Sequence, residues 1–170
     1  AEVIPGAHTQ IVNNGIDPER FHDLPALPEP KTGPIILSTG GVKKRKGTLH
    51  LVRAMAQVRQ QMPDVQCVVI GKMDAEPGYT ARVLAEIEAL NLADCVHLLG
   101  FVPDETVRGW YGAADLFVLP SINSGYKFEG FGLVHLEASA AGLPVIGTRG
   151  CGVEDAIEQD VTGLLVDQDA

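Results

Sequence analysis

Two glutamates, Glu129 and Glu137, stand eight positions apart in the most distinctive stretch of the sequence. Glycines surround the first, and a run of apolar and small residues carries the second. Gly130 and Gly132 allow the backbone to approach a ligand closely and to adopt conformations that a side chain would forbid. From about Gly132 the apolar spacing predicts a helix, with Glu137 on its apolar face. A carboxylate there is costly unless a partner satisfies it.

The predicted start of this helix is a candidate anion site. It offers free backbone N–H groups and the positive end of the helix dipole. The residues that present it lie from Phe131 to Val134, and Phe131, Gly132 and Leu133 are our candidate donor-binding residues among them. One segment thus supplies a candidate phosphate-binding site and two carboxylates. Glu137 lies beyond the helix start, and Glu129 lies in the loop that leads into the helix. This combination suits a phosphorylated ligand that carries hydroxyl groups, such as a nucleotide-sugar.

Four consecutive basic residues follow a predicted strand at 35–39. A basic run in a loop is usually only a solvated surface. Here the net charge of the protein is −9, and the run lies at the presumed ligand edge of a sheet. Lys46 is therefore our candidate for binding a diphosphate, with Lys43 beside it and Gly41 and Gly71 in the loops that would line the site.

The composition narrows the class of protein. A chain of 170 residues is long enough for one domain with a sizeable core. Its acidity argues against nucleic acid and an anionic membrane surface as main partners, although solubility alone also explains it. The three cysteines are far apart, which favours reduced thiols and a cytoplasmic location. No apolar run reaches membrane-spanning length.

Alternating strand and helix signals organise the chain. Residues 1–33 form a proline-rich lead-in with a short strand at 10–13 and a turn at 13–15, and 34–170 form the domain. The predicted strands are 35–39, 65–71, 96–99, 116–119, 144–147 and 163–166, and the predicted helices are 48–62, 80–91, 104–113, one from about 132, and 153–158. The inward positions are predicted to be Leu51, Val52, Met55, Val58 and Met62 on the first helix, and Val83, Leu84, Ile87 and Leu90 on the second.

This alternation predicts an α/β fold, a Rossmann-like doubly wound parallel sheet with helices on both faces. Ligands of such sheets bind beyond the carboxyl ends of the strands, at the switch point. The loops 40–47, 71–78, 101–104 and 121–132 all follow strands. We therefore expect them to converge on one cleft.

The sequence also resembles a known family. Glu129-Gly130-Phe131-Gly132-Leu133 with Glu137 is similar to the Glu-x7-Glu motif of retaining glycosyltransferases with the GT-B fold, of the family 4 kind (glycosyl transferases group 1). The likeness covers nearly the whole chain in the order of that family's C-terminal domain. The other stretches that carry it are Asn14–Phe21, Lys46-Gly47, Leu99–Val102, Ala113–Ser121 and Thr162–Val166.

The resemblance implies the C-terminal, donor-binding half of a two-domain enzyme that uses a nucleoside-diphosphate sugar and no other cofactor. It implies that Glu137 binds the ribose hydroxyls and that Glu129, the candidate catalytic residue, touches the transferred sugar. Residues 1–33 would lead in from the interdomain hinge. The acceptor, a sugar, a lipid or another molecule, would lie mainly on an N-terminal domain absent from this chain, which looks cut at both ends.

Several alternatives stay open at this stage. Glu137 could instead be satisfied by a basic side chain such as Arg149, and Glu129 could be a plain surface residue. Phe101 and Val102 would lie near the nucleotide base, or Phe101 could be a core residue at a strand end. The family commonly has an arginine where this chain has Gly41. The second cation would then come from Lys43, Lys44 or Arg45, and Gly41→Arg is expected to strengthen binding.

Other kinds of site have weak support. The loop at 40–47 lacks both G-x-G-x-x-G and G-K-[ST], which disfavours a nicotinamide site and a P-loop. Asp167-Gln168-Asp169 has a metal-binding form but reads best as a surface turn. The histidines share no metal-ligand spacing, so we predict no metal. The two functional hypotheses are a glycosyltransferase donor domain, inactive alone, and a non-catalytic nucleotide-binding or regulatory module of the same fold.

Overall fold

Within the residues that the structure describes, six parallel strands form one sheet in the order β3-β2-β1-β4-β5-β6. The computed structural model describes residues 10, 12, 14–27, 32–73 and 75–168. The strand order reverses between β1 and β4, which is the switch point of a doubly wound sheet. The predicted fold class is confirmed. The strands are β1 Ile35–Thr39, β2 Gln66–Ile70, β3 Val96–Gly100, β4 Leu116–Val118, β5 Val145–Thr148 and β6 Gly163–Val166.

In the described part of the chain, four α-helices connect the strands: α1 Thr48–Gln61, α2 Pro77–Ala89, α3 Asp104–Ala113 and α4 Leu133–Ala140. Two strands, β1 and β6, and the helix α3 have the predicted bounds, and most other ends differ by one or two residues. The helix α2 starts earlier than predicted, because Pro77 occupies its first turn, where a missing N–H costs nothing. The predicted helix 153–158 is instead a short 3₁₀ turn, Gly152–Asp155.

The sheet separates two hydrophobic cores. Alternate residues of a strand point to opposite faces, so Leu37 packs with α3 and α4 whereas Ile36 packs with α1 and α2. Most predicted inward positions of α1 and α2 lie in the second core. Two do not, since Leu84 is 43% exposed and Met62 is 44% exposed. Val83 and Ile87 define the buried stripe of α2, and Leu84 lies beside that stripe rather than within it.

The described part of the lead-in packs against α3. A 3₁₀ turn, Pro18–Phe21, is capped by the Asp17 side chain, which accepts from the N–H of Glu19. Gly112 leaves room for Leu24, whose Cβ would lie 3.0 Å from a Cβ at that position. The predicted strand 10–13 and turn 13–15 include positions outside the described residues.

Candidate functional site

The loops after β1 and β2 lie directly on each other. The N–H groups of Gly40 and Gly41 both donate to the carbonyl of Ile70, at 3.0 and 3.2 Å. Gly41 has φ 83° and Gly71 has φ 132°, and a Cβ on Gly71 would come within 2.3 Å of the Gly41 nitrogen. Both glycines are therefore required for the contact between the two loops. Their N–H groups are used inside the protein, because that of Gly71 donates to the carbonyl of Gly100.

The end of β3 joins the same edge. Lys72, Met73, Gly100 and Phe101 line a cavity of about 600 Å³. Phe101 is 79% exposed, so the alternative that it is a core residue is wrong. Val102 is half-buried and packs against the first core instead. Of the two residues predicted to lie near a base, it is Phe101 that lines this cavity.

The loop after β4 closes the site from the other side. The N–H of Ile122 donates to the carbonyl of Arg45 at 2.9 Å. Gly47 has φ 66°, and a Cβ there would collide with the carbonyl oxygen of Pro120. The loops at 40–47, 71–78 and 121–132 and the end of β3 thus meet at one edge of the sheet, as the alternation of strands and helices predicted.

Glu129 forms ion pairs with two cations at this edge, the buried Lys46 and the partly exposed Arg45. Its Oε2 accepts from Lys46 Nζ at 2.7 Å and from Arg45 Nη1 at 2.9 Å. Lys46 is 7% exposed, which rules out the solvated-surface interpretation for this member of the basic run. Glu129 is likewise no plain surface residue, because its side chain is 12% exposed.

Burial and charge act in opposite directions on these pKa values. Burial lowers the pKa of Lys46, and the hydrogen bond and charge of Glu129 oppose that change. For Glu129, burial alone would raise the pKa, but the hydrogen bond and charge of Lys46, with those of Arg45, lower it. Glu129 is therefore ionised at neutral pH. Lys43 is half-buried nearby, and its charge also acts to lower the pKa of Lys46.

Glu137 is held by a tyrosine rather than by a basic side chain. The hydroxyl of Tyr111 donates to Glu137 Oε2 at 3.0 Å and lies 3.1 Å from Thr39 Oγ1. Tyr111 is 1% exposed, and burial, with the Glu137 charge, raises its pKa well above the ordinary value. The proposed pairing of Glu137 with Arg149 is wrong. That guanidinium donates to the Leu165 carbonyl and to a glutamine side chain.

The helix α4 begins immediately beyond Glu129. Gly132 adopts the left-handed conformation with φ 78°, and a Cβ there would lie 2.7 Å from His135 Nδ1. No side chain caps the first turn of α4 among the described residues, which leaves N–H groups near Leu133 for a ligand. Gly130 is exposed and Phe131 is half-buried on the approach to this turn.

His135 lies fully buried behind the helix start. Its ring packs edge-on against Phe117, with centroids 5.4 Å apart, and Nδ1 lies 3.1 Å from the Gly132 carbonyl oxygen. Burial lowers the pKa of His135 to about 4, so the ring is neutral at pH 7. Sequence reasoning assigned no role to His135, Tyr111 or Thr39, because their partners are distant in sequence or fixed only by packing.

The described residues also bear on the predicted absence of a metal site and on the predicted surface turn at 167–169. These residues contain no group of three or more His, Cys, Asp or Glu side chains arranged to hold a metal ion. Gln168 accepts from the Asn123 N–H and donates to the Arg149 carbonyl, each at 2.7 Å. It thereby ties the end of the chain to the loop after β4, while Asp169 lies outside the described residues. None of the described helices is both long and apolar enough to span a membrane.

Comparisons with known proteins identify the family. The family described as glycosyl transferases group 1 matches residues 19–170. A D-inositol 3-phosphate glycosyltransferase of Pseudarthrobacter chlorophenolicus is 34% identical over 157 residues, covering 91% of this chain and 33% of that protein. A GDP-mannose-dependent monoacylated alpha-(1-6)-phosphatidylinositol monomannoside mannosyltransferase of Corynebacterium glutamicum is 34% identical over 167 residues, covering 91% of this chain and 42% of that protein.

A solved structure agrees with this assignment. The C-terminal domain of a glycosyl transferase group 1 family protein, LpcC, from Francisella tularensis superposes with a TM-score of 0.71 at 26% identity. The match covers 90% of this chain and 80% of that domain. The chain belongs to the glycosyl transferases group 1 family and has the fold of the C-terminal half of a GT-B glycosyltransferase. It spans between 33% and 42% of the length of the two relatives named above.

Proposed function

We propose that this chain is the donor-binding domain of a retaining glycosyltransferase that uses a nucleoside-diphosphate sugar. The observation that carries the proposal is the buried ion pair of Glu129 with Lys46, 2.7 Å apart at the carboxyl edge of the sheet. Ligands of doubly wound sheets bind at this edge. A buried cation there can neutralise a diphosphate, and a carboxylate beside it can accept hydrogen bonds from a sugar.

The second carboxylate supports the nucleotide part of the proposal. Tyr111 holds Glu137 through one oxygen, Oε2, and a carboxylate has further acceptor sites for the two neighbouring hydroxyls of a ribose. Glu137 lies on α4, whose uncapped start offers N–H groups to a phosphate. In this proposal the spacing along one helix would put the ribose and the diphosphate in the order that a nucleoside diphosphate requires.

The relatives point to the same donor class. The Corynebacterium glutamicum relative is described as GDP-mannose-dependent, and GDP-mannose is a nucleoside-diphosphate sugar. For this chain we propose the same class of donor, a nucleoside-diphosphate sugar. The cavity beside Phe101 is our proposed place for the base.

The chemistry of the proposal is a transfer of the sugar with its anomeric configuration kept. The bond between the anomeric carbon and the diphosphate oxygen breaks, a bond from an acceptor hydroxyl oxygen forms on the same face of the sugar, and the proton of that hydroxyl passes to the departing diphosphate. Lys46 and the start of α4 would stabilise the negative charge on the departing diphosphate. Glu129 would orient the sugar and stabilise positive charge developing at the anomeric carbon. No step in this scheme uses a metal or another cofactor.

The acceptor and the cellular setting follow from the same proposal. We place the acceptor, whether sugar, lipid or another molecule, mainly on the N-terminal domain of the full-length protein. The protein would work in the cytoplasm, where nucleotide-sugars are available, and this domain would contact neither nucleic acid nor membrane.

Titration calorimetry with a panel of nucleoside diphosphates and their parent nucleosides tests the proposal. We expect at least one nucleoside diphosphate to bind and its parent nucleoside to bind much more weakly, because the cations and the α4 start act on phosphate. Equal binding of a nucleoside and its diphosphate, or no binding of any diphosphate, would contradict the proposal. Equal affinity for a nucleoside diphosphate and for all of its sugar esters would favour the alternative that the domain is a regulatory module.

A further inference from the structure

Arg45 is fixed in place at both of its ends. Its backbone carbonyl accepts from the Ile122 N–H at 2.9 Å, and its side chain reaches Glu129 Oε2 at 2.9 Å. The side chain is 28% exposed, so part of it remains accessible to solvent. Within the described part of the chain, the Glu129 contact is its one side-chain hydrogen bond. A guanidinium has five N–H donors, so several remain for a ligand.

The charges around Glu129 are unequal. Lys46 and Arg45 both contact the same oxygen of one carboxylate. Lys43 adds a third positive charge close enough to act on Lys46. Two positive charges therefore contact one negative charge, with a third positive charge close by, in a protein whose net charge is −9. Such a local excess of positive charge favours an anionic ligand of more than one charge.

We propose that Arg45 and Lys46 form a clamp for the diphosphate of the donor, and that Glu129 fills this clamp until the diphosphate displaces it. The inference rests on the proposed function and assigns to it a second cation that the sequence alone left open. An arginine matches the geometry of phosphate oxygens with paired donors, which a lysine cannot do. The displaced Glu129 carboxylate then becomes free to face the sugar.

An arginine at position 41, where the family commonly has one, would not fit this backbone. Gly41 has φ 83°, and a Cβ there would lie 2.8 Å from the Lys72 carbonyl oxygen and 3.2 Å from the Lys72 nitrogen. Both atoms belong to backbone, so an arginine at this position would force the loops after β1 and β2 apart. On this backbone we therefore expect Gly41→Arg to weaken binding rather than to strengthen it. Arg45 enters the same site from four residues further along the loop.

Glu129 is expected to oppose anion binding in the free protein. In the free protein its carboxylate competes with any incoming anion for the two cations. Glu129→Gln keeps the shape of the side chain but removes the competing charge. This variant should therefore bind inorganic pyrophosphate several-fold more tightly than the unmodified protein, whereas a role in direct phosphate positioning would make binding weaker.

Pyrophosphate titrations followed by calorimetry test the clamp, with Lys44→Gln as the matched control. Lys44 belongs to the same basic run but is exposed. Arg45→Gln should weaken pyrophosphate binding roughly ten- to a hundred-fold, the range of a charged hydrogen bond. Arg45→Lys keeps the charge and should lose several-fold, and Lys44→Gln should change affinity less than either.

The outcomes separate this inference from the proposed function. Arg45→Gln that binds as well as Lys44→Gln would overturn the clamp, as would Glu129→Gln that binds pyrophosphate more weakly than the unmodified protein. If Arg45→Gln fails to fold, unchanged affinity in Arg45→Lys would overturn the role of the forked guanidinium. Failure of every nucleoside diphosphate to bind the unmodified protein would instead contradict the proposed function, even where pyrophosphate still binds.

Discussion

Glu137 is the residue whose proposed role depends most on its charge. We expect Glu137→Gln to keep the Tyr111 hydrogen bond and to weaken nucleoside diphosphate binding by about 1.5–3 kcal/mol, the scale of a charged hydrogen bond. Calorimetry on the folded variant measures this loss, and Glu88→Gln, an exposed change on α2, is the control. Unchanged affinity in a folded Glu137→Gln would contradict the ribose assignment.

We expect Lys46 to contribute to the binding of the phosphate groups and not to that of the nucleoside. Lys46→Ala is expected to weaken diphosphate binding far more than nucleoside binding. In the proposed complex, the lost cation contacts the phosphate groups of the ligand and not its nucleoside. The affinity of the unmodified protein for the diphosphate should also fall as salt is added, and more steeply than that of the variant. Calorimetry at several salt concentrations measures both effects. Equal losses for the two ligands would mean that Lys46 is structural.

The sequence predicted single residues of the site better than it predicted their partners. Glu129, Glu137 and Lys46 stand out by type and spacing. The residues that hold them do not, because Tyr111 and Thr39 are 72 positions apart and meet only once the sheet is formed. Arg45 was one of three basic candidates for the second cation, and its contact with Glu129 joins residues 84 positions apart, which the sequence alone does not indicate.

Tyr111 connects three secondary-structure elements, α3, β1 and α4. Its hydroxyl lies on α3 and contacts Thr39 at the end of β1 and Glu137 on α4. Its ring also packs edge-on against Phe21 of the lead-in, with centroids 5.7 Å apart. The position of Glu137 therefore depends on the packing of α3 against the sheet.

Tyr111→Phe tests this link between elements. The change removes one buried hydroxyl, so we expect the free energy of unfolding to fall by about 1–2 kcal/mol. Nucleoside diphosphate binding should weaken only modestly, because Glu137 keeps its charge but loses its fixed orientation. Chemical denaturation and calorimetry measure the two effects, with Tyr126→Phe at a fully exposed site as the control. A stability loss with unchanged affinity would show that Tyr111 does not position Glu137.

Element prediction succeeded where hydrophobic periodicity was strong. The bounds of α3 and β6 agree with the structure, and the parallel order follows from the alternation of strands and helices. It failed for Leu84, since an apolar residue next to the buried stripe is indistinguishable from one within it. It also failed at 153–158, where Gly152 packs against the Gly130 carbonyl and the chain makes a 3₁₀ turn.

The stability of the whole molecule should fall in mild acid because of His135. Its pKa is about 4 in the folded protein, against 6.5 for the ordinary group. Between these values the unfolded chain binds a proton that the folded protein does not. The free energy of unfolding therefore decreases as pH falls through this window, by roughly 3 kcal/mol in total. This contribution is fully present above pH 6.5.

The variant His135→Leu isolates the effect, because leucine fills similar space without titrating. Denaturant unfolding from pH 7 to pH 4 should show a steeper loss for the unmodified protein than for His135→Leu. His50→Gln, at an exposed position on α1, should keep the steep loss. Parallel pH profiles for the unmodified protein and His135→Leu would mean that the buried ring titrates normally.

The chain as a whole should bind a donor without transferring its sugar. We propose that the acceptor lies mainly on another domain, so this domain alone would leave the cleft open to water and would lack an acceptor. A nucleoside diphosphate at about 100 times its dissociation constant should add about 2.7 kcal/mol of stability and raise the melting temperature by several degrees. Measurable sugar transfer by residues 1–170 alone would contradict this expectation.

A crystal structure of the chain with its tightest-binding nucleoside diphosphate tests the central claim most directly. We predict the ribose hydroxyls on Glu137, the diphosphate on Lys46 Nζ and the Arg45 guanidinium, and Glu129 moved off both cations. A nucleotide at the opposite edge of the sheet, for instance in the cavity lined by Gly142 and Thr162, would contradict the account.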